Sequence, residues 1–321
     1  MTASPLKQNV LTGLIFLAAL SCWGCRQEKP SAQTASDGRL LVFVSIPPQK
    51  YFVERIGGLH VRAAVLLKSG QSMHTYEPTP KQMVELSAAK VYFRIGAPFE
   101  MQVVDKVGEA LKGLYLVDTN EGITLRTTTE PCEYELESAG HTYKKSHEHE
   151  SGEPDLHTWM SPRLVKVQAA NICRALVHVD PPHKADYEAN LANFAADLDK
   201  LDGQIAAALK PLRGREFYVF HPGFGYFADA YGLRQAAVET GGKEPSARQL
   251  KNLIDKAKAS GTKLIFVQPQ FSRRGAEAVA QAIGGAVVPL NDLAEDYTNN
   301  LRHVADEIKA ALTPAASRPA Q

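Results

Sequence analysis

"LLVFVSIPPQKYFVERIGG", Leu40 to Gly58, decides the fold class. Its first half is apolar and rich in β-branched residues, which suits a strand buried on both faces, and Pro47-Pro48 stops that run. Its second half sets Tyr51, Phe52, Val53 and Ile56 at helical spacing and closes on Gly57-Gly58, the residue type that ends helices most readily. A buried strand followed at once by an amphipathic helix is the building unit of a parallel sheet covered by helices.

The unit repeats outward from there. "VRAAVLLKSG" (61–70) reads as a strand, "TPKQMVELSAAK" (79–90) as a helix opened by Thr79-Pro80, and "VYFRIG" (91–96) as a third strand. "FEMQVVDKVGEALKG" (99–113) and "LYLVDT" (114–119) continue the alternation. A helix from Arg163 to about His178 and a "DPP" break lead to a long helix from about His183 to Leu209. In it Tyr187, Leu191, Phe194, Leu198, Leu201, Ile205 and Leu209 recur at steps of three and four. At 1.5 Å per residue this helix is about 40 Å long, enough to join two lobes. The alternation restarts with "RGREFYVF" (213–220): helices over "YFADAYG", "EPSARQLKNLIDKAKASG", "RRGAEAVAQAIGG" and a closing segment to Leu312 enclose strands in "KLIFVQP" and "AVVPL". Glu244-Pro245-Ser246 suits the start of the second of these helices. The expected architecture is α/β: two Rossmann-like lobes with parallel sheets, residues 40–160 and 213–313, joined by a helical segment, 161–212, that contains the long rigid helix.

Composition narrows the function. The 321 residues are 44% hydrophobic and 22% charged, ordinary for globular chains, and a formal net charge of +1 excludes a global affinity for nucleic acid or an anionic surface. Lys7 and the apolar run Val10–Leu20 form a segment shorter than the roughly 20 residues a bilayer span requires, but of signal-peptide size, so residues 1–25 read as an export signal. "LSCWGCRQEKPSAQTASDG" follows, with Cys22 and Cys25 as lipobox candidates and residues 26–39 as a flexible tether. Export to the periplasm or cell surface with a lipid anchor is the expectation, and cleavage without lipidation is the alternative. Cys132 and Cys173 alone remain beyond this region, too few for a disulfide framework or a zinc ribbon. Residues 314–321 read as a tail, and the His- and acid-bearing stretch about 138–153, with His141, His147, Glu148 and His149, as a solvated loop.

Three of the ten histidines share a placement. His74 in "SMHTYEPTP", His157 in "PDLHTWMSP" and His221 in "YVFHPGFGYF" each flank an expected strand beside a proline-bearing turn, where α/β folds carry ligands. Three imidazoles and one oxygen donor suit tetrahedral Zn²⁺. Asp292 in "VVPLNDLAED" is the best-placed carboxylate, with Glu295 and Asp296 as fallbacks; Asp292 serves equally well as a helix N-cap. His60, His178, His183 and His303 stand in helix or turn contexts and read as structural.

Together "SIPPQKYFVERIGG", "SMHTYEPTP", "PDLHTWMSP", "HPGFGYFADAYGL" and "EPSARQLKNLI" resemble the metal-binding solute-binding lipoproteins of zinc and manganese ABC importers, in the same order and over about Leu41 to Leu312. The resemblance implies a metal held between two lobes by side chains at His74, His157 and His221 plus a carboxylate near Asp292, and delivery to an inner-membrane ABC permease by a monomer. It also implies that His221, where manganese members commonly carry Glu, favours Zn²⁺ over Mn²⁺ as the transported ion, and that Met73 supplies no ligand. Gln268 and Gln270, where many relatives place an acid, are candidates to contact the ligands. A zinc hydrolase is the rival from another class, but neither HExxH nor Gly-x-Ser-x-Gly is present. A surface adhesin or metal buffer without a permease is a third reading.

Overall fold

Val42, Phe43 and Val44 are buried in the first strand, β1 (Leu40–Val44), as a run without alternation requires. Pro47 and Pro48, expected only to stop this strand, also form the first turn of helix α1 (Pro47–Gly57), where a missing N–H costs nothing. The side chain of Gln49, at the third helical position, folds back to accept from the N–H groups of Ser45 and Ile46 at 3.0 and 3.3 Å, the reach-back that a Glu or Gln makes in a capping box.

The computed structural model describes residues 38–107, 113–127, 137–138, 141–142, 154–238 and 247–313. The expected export signal, Cys22, Cys25, most of the tether, Cys132, His147, Glu148, His149, the helix start at Glu244–Ser246 and the tail lie outside the described residues.

Beyond α1 come β2 (Val61–Val65), α2 (Pro80–Ser87), β3 (Val91–Arg94), α3 (Pro98–Val107) and β4 (Tyr115–Asp118), then the two-residue strands β5 (Glu137–Ser138) and β6 (His141–Thr142). Helices α4 (Pro162–Val179) and α5 (Lys184–Leu209) follow. The second half contains β7 (Glu216–Val219), α6 (Gly225–Tyr231), β8 (Arg234–Ala237), α7 (Ala247–Ala259), β9 (Leu264–Val267), α8 (Arg273–Ala282), β10 (Ala286–Pro289) and α9 (Tyr297–Leu312). Two four-stranded sheets result, in the orders β2-β1-β3-β4 and β10-β9-β7-β8, and every pairing within them is parallel. These are the two α/β lobes. Strand β8, "RQAA", was not expected; it pairs only with β7 at the sheet edge, where little apolar character is needed.

In the second sheet β8 lies on one side of β7 and β9 on the other, so the chain reverses its direction of travel between β7 and β9 and opens a crevice at their carboxyl ends. His221 and Gln268 stand at that crevice. In the first sheet the equivalent gap, between β1 and β3, is filled by Glu100. Its carboxylate accepts from the N–H groups of Ile95 and Gly96 at 2.9 and 2.8 Å and from the Ser45 hydroxyl, and burial pushes its pKa up.

The apolar stripe of α5 is buried at Tyr187, Phe194, Leu198, Leu201, Ile205 and Leu209. It packs against α1, α4 and α9, and one hydrophobic core runs from the first sheet through these helices to Phe217, Val219 and Phe266 of the second. Tyr218, Ile265 and Val267 point the other way, into a smaller core beneath α7 and α8, as the two-residue period of a strand demands. At the centre of the large core, Phe194 lies 5.9 Å from the Phe52 ring and 6.0 Å from that of Tyr51, and Tyr297 stands edge-on to Phe52 at 4.9 Å.

Deleting the Phe194 ring removes buried area shared by α1 and α5. Phe194→Ala is expected to lower the unfolding free energy of the metal-free protein by about 3–5 kcal/mol, read from the urea midpoint. A loss below about 1 kcal/mol would mean that this aromatic cluster does not carry the shared core.

Candidate metal centre

Residue His74 sits at the apex of a turn that its neighbours pin from both sides. Met73 is 4% exposed and anchors the turn in the core, while the buried Tyr76 donates its hydroxyl to the Leu66 carbonyl at 2.8 Å. Thr79 then caps α2 by accepting from Gln82 N–H. His74 itself is exposed, and its ring centroid lies 5.3 Å from that of His221.

His157 precedes a 3-10 turn, Thr158–Met160. A buried polar network fixes that turn: the Thr158 hydroxyl donates to Asn120 Oδ1 at 2.7 Å, and Gln168 Nε2 donates to both oxygens at 2.8 Å. Asp155, which sequence reading missed, orients the imidazole. Its Oδ1 lies 2.8 Å from His157 Nδ1 and accepts from the His157 backbone N–H at 3.0 Å. Burial alone raises the Asp155 pKa, but the hydrogen bonds and charge of His157 and the charge of Arg126 outweigh it and hold the carboxyl below its usual range. A proton on Nδ1 facing this carboxylate leaves Nε2 with its lone pair outward, the arrangement found behind metal-bound histidines. An acid two residues before the histidine, in "PDLH", was the available signal.

His221 follows β7 and is 3% exposed. Gln268 clamps its backbone, donating from Nε2 to the His221 carbonyl at 2.7 Å and accepting from the His221 N–H at 3.2 Å. Phe271 stacks on the ring at 4.7 Å. Burial, then the neighbouring His157, and with a smaller effect His74, push the His221 pKa from 6.5 to about 3 against the pull of Asp292. The ring is neutral at physiological pH and presents nitrogen as a donor to a cation. Its Nε2 lies 3.2 Å from Nε2 of His157.

Asp292 is 1% exposed. Gln270 donates to its Oδ1 at 2.8 Å and Trp159 Nε1 donates to its backbone carbonyl at 2.6 Å. Its Oδ2 is buried without a hydrogen-bond partner among the described residues. Gly223 has no positive φ, and its missing side chain leaves space: a Cβ there would stand 2.9 Å from Asp292 Oδ2 and 3.4 Å from His157 Nε2. The N-cap role open to Asp292 belongs to Asp296, whose side chain accepts from Asn299 N–H. The other fallback, Glu295, is exposed and pairs with Lys50. Among the described residues no group of three or more His, Cys, Asp and Glu side chains is arranged so that it could hold a metal ion as it stands. The donors instead converge in pairs, with His221 beside both His74 and His157. An orphaned carboxylate oxygen, the neutral imidazole of His221 and a gap left by glycine fit a divalent cation.

His60, His178, His183 and His303 have local partners. His60 and His183 stack at 3.8 Å, paired with Asp186 and Asp180 respectively at 2.8 Å each. His178 lies beside the Tyr115 ring, and His303 is 3.9 Å from Glu307.

Comparison with known proteins follows the same lines. The family model described as "ZnuA: Zinc-uptake complex component A periplasmic" matches residues 42–311. The "High-affinity zinc uptake system protein ZnuA" of Bacillus subtilis is 31% identical over 281 residues, covering 87% of this chain and 85% of that protein. A crystal structure of a ZnuA has a TM-score of 0.76 and 40% identity, covering 86% of this chain and all of the other. A zinc-bound ZnuA deletion mutant also has a TM-score of 0.76 at 40% identity, over 88% of this chain.

The depressed His221 pKa has a consequence for stability. Between pH 6.5 and about 3 the unfolded chain takes up a proton on His221 that the folded chain refuses, so the metal-free fold loses stability as pH falls through this window. Asp155 acts in the same direction at lower pH, where protonation removes its bond to His157. His221→Gln is expected to flatten the fall in Tm of the metal-free protein between about pH 6.5 and 4. Parallel Tm profiles for the variant and the parent would mean that His221 titrates like a solvated histidine.

Proposed function

The chain belongs to the family of periplasmic zinc-uptake component A proteins, and from this membership we propose that His74, His157, His221 and Asp292 together hold the Zn²⁺ ion it captures. The protein is the periplasmic zinc-binding component of a zinc ABC uptake system and works with an ABC permease. The hydrolase and permease-free readings are not favoured.

Zinc here is cargo. It arrives hydrated and exchanges water for protein donors, so the donors have to be deprotonated before it comes. Burial keeps His221 neutral, and Asp155 keeps the His157 proton on Nδ1. Asp292 supplies the negative charge and the oxygen donor. His74 and His157 come from the half of the chain that carries the first sheet, His221 and Asp292 from the half that carries the second, so a bound ion ties the lobes together. Separation of the lobes on the permease then dismantles the shell without any covalent step. The observation that supports this reading most directly is the 3.2 Å approach of the two Nε2 atoms of His157 and His221, with an Asp292 oxygen that has no hydrogen-bond partner among the described residues.

Selectivity for Zn²⁺ over Mn²⁺ follows from the donor set. Three imidazoles and one carboxylate suit a borderline-soft tetrahedral ion, whereas Mn²⁺ favours more oxygen and higher coordination. A monomer held at the membrane by a lipid on Cys22 or Cys25 completes the proposal. Labelled palmitate is expected in the full-length protein and lost on substitution of one of these cysteines by Ser; label retained in the double variant would overturn the anchor.

His221→Glu tests the shell itself. It exchanges a neutral nitrogen for a second carboxylate beside Asp292, so the ratio of Zn²⁺ to Mn²⁺ affinity is expected to fall, although Zn²⁺ still binds more tightly in absolute terms. Competition titrations on both proteins read the ratio, with circular dichroism confirming the fold. An unchanged ratio in a folded variant would remove His221 from the shell.

A further inference from the structure

Arg126 lies after β4, far from any ligand role, yet several groups are committed to it. Asp155 divides its two oxygens: Oδ1 serves His157, while Oδ2 faces Arg126 Nη1 at 3.8 Å. On its other side Arg126 Nε stands 3.3 Å from Asp229 Oδ2 on α6. The guanidinium covers the Tyr226 ring at 5.7 Å from its centroid. The backbone N–H of Arg126 donates to the Tyr226 hydroxyl at 2.9 Å, that hydroxyl donates to the Asp155 carbonyl at 2.8 Å, and the Asp155 N–H donates to the Arg126 carbonyl at 2.8 Å.

Gly225 makes the room. A Cβ there would fall 1.6 Å from Arg126 Nη1 and 2.6 Å from Cζ. Its φ is not positive, so the glycine serves close approach and not a turn. Asp229 and Tyr226 belong to the helix that follows His221, and Asp155 to the turn that carries His157.

Taking His157 as a zinc ligand, as argued above, we propose that Arg126 is a positioning residue: it joins α6 of the second lobe to the carboxylate that orients His157, so that meeting of the lobes and alignment of that imidazole occur together. Arg126 does not touch the ion. The side chain of Asp155 is 3% exposed, whereas those of Arg126 and Asp229 are 34% and 62% exposed. The grip on Asp155 is therefore the strong half of the clasp, and the bond to Asp229 is screened and weak.

The test compares the parent, Arg126→Lys, Arg126→Met, Asp229→Asn and the Met/Asn double variant. Zinc affinity and release are read by chelator competition, the shell geometry by the visible spectrum of the Co²⁺ form, and the fold by melting of the metal-free protein. Arg126→Met is expected to weaken zinc binding about ten- to a hundredfold, the usual effect of removing a partner behind a ligand, and to alter the Co²⁺ spectrum. Lys is expected to restore the spectrum and part of the affinity, since it keeps the charge without the planar fork. Asp229→Asn is expected to speed zinc release about two- to fivefold in dilute buffer, with no difference at about 1 M salt. The double variant is expected to be no weaker than Arg126→Met alone.

Unchanged zinc affinity and Co²⁺ spectrum in Arg126→Met overturn the proposal, as does an affinity loss that tracks the melting temperature with the spectrum unaltered. If Arg126→Met does not fold, Asp229→Asn decides: parent-like release in dilute buffer overturns the proposal. Zinc binding abolished in His157→Ala but intact in Arg126→Met would overturn this inference and leave the ligand assignment standing. A parent protein that binds no zinc would overturn both.

Discussion

A carboxylate oxygen enclosed without a donor is one of the costlier things a fold can hold, and among the described residues Asp292 Oδ2 is in that position. Everything around it limits how it can be relieved. Gln270 occupies the other oxygen and Trp159 the backbone carbonyl, so the carboxylate cannot easily turn away. The nearest imidazoles belong to histidines whose surroundings assign their protons: His157 through Asp155, His221 through burial. A cation would answer these demands at once, because it would neutralise the carboxylate and accept a lone pair from the His221 ring, which burial leaves without charge.

This pocket exists because parallel sheets send their loops to one edge. Strands of four or five residues are too short to do more than deliver the chain to that edge, so the site is made by what immediately follows them. Rigidity comes from behind. The turn carrying His157 is held by Asn120, Thr158 and Gln168, and the backbone of His221 by Gln268, all of them buried.

The fold was largely legible because its strands and helices announce themselves by unbroken apolar runs, by period, and by Thr79-Pro80 or glycine stops. What escaped did so for identifiable reasons. β8 lies at an edge and needs no apolar run; the proline pair at 47–48 serves strand end and helix start together, and one-dimensional reading credits only the first. Among the candidate ligands, residue type and position relative to strands singled out His74, His157, His221 and Asp292, but the alternatives for the carboxylate separated only in three dimensions, where Asp296 caps α9 and Glu295 turns to Lys50. Arg126 and Gly225 were illegible because their importance lies in contacts between segments far apart in the chain, whereas Asp155, two residues before His157, left a signal in "PDLH". His60 and His183, read from their helix and turn contexts as structural, each pair with an aspartate.

The aromatic packing of α1 against α9 also sets the order of events in folding. Tyr51 and Thr298 bond across 247 residues of chain, and Phe52 meets Tyr297 in the same place. A nascent chain that has not yet produced α9 lacks one wall of its largest core, whatever local helices it forms, and its final cooperative step waits for α9 to emerge. For a periplasmic protein such late closure is an asset: the polypeptide remains threadable until α9 arrives, and locks only when that helix settles beside α1.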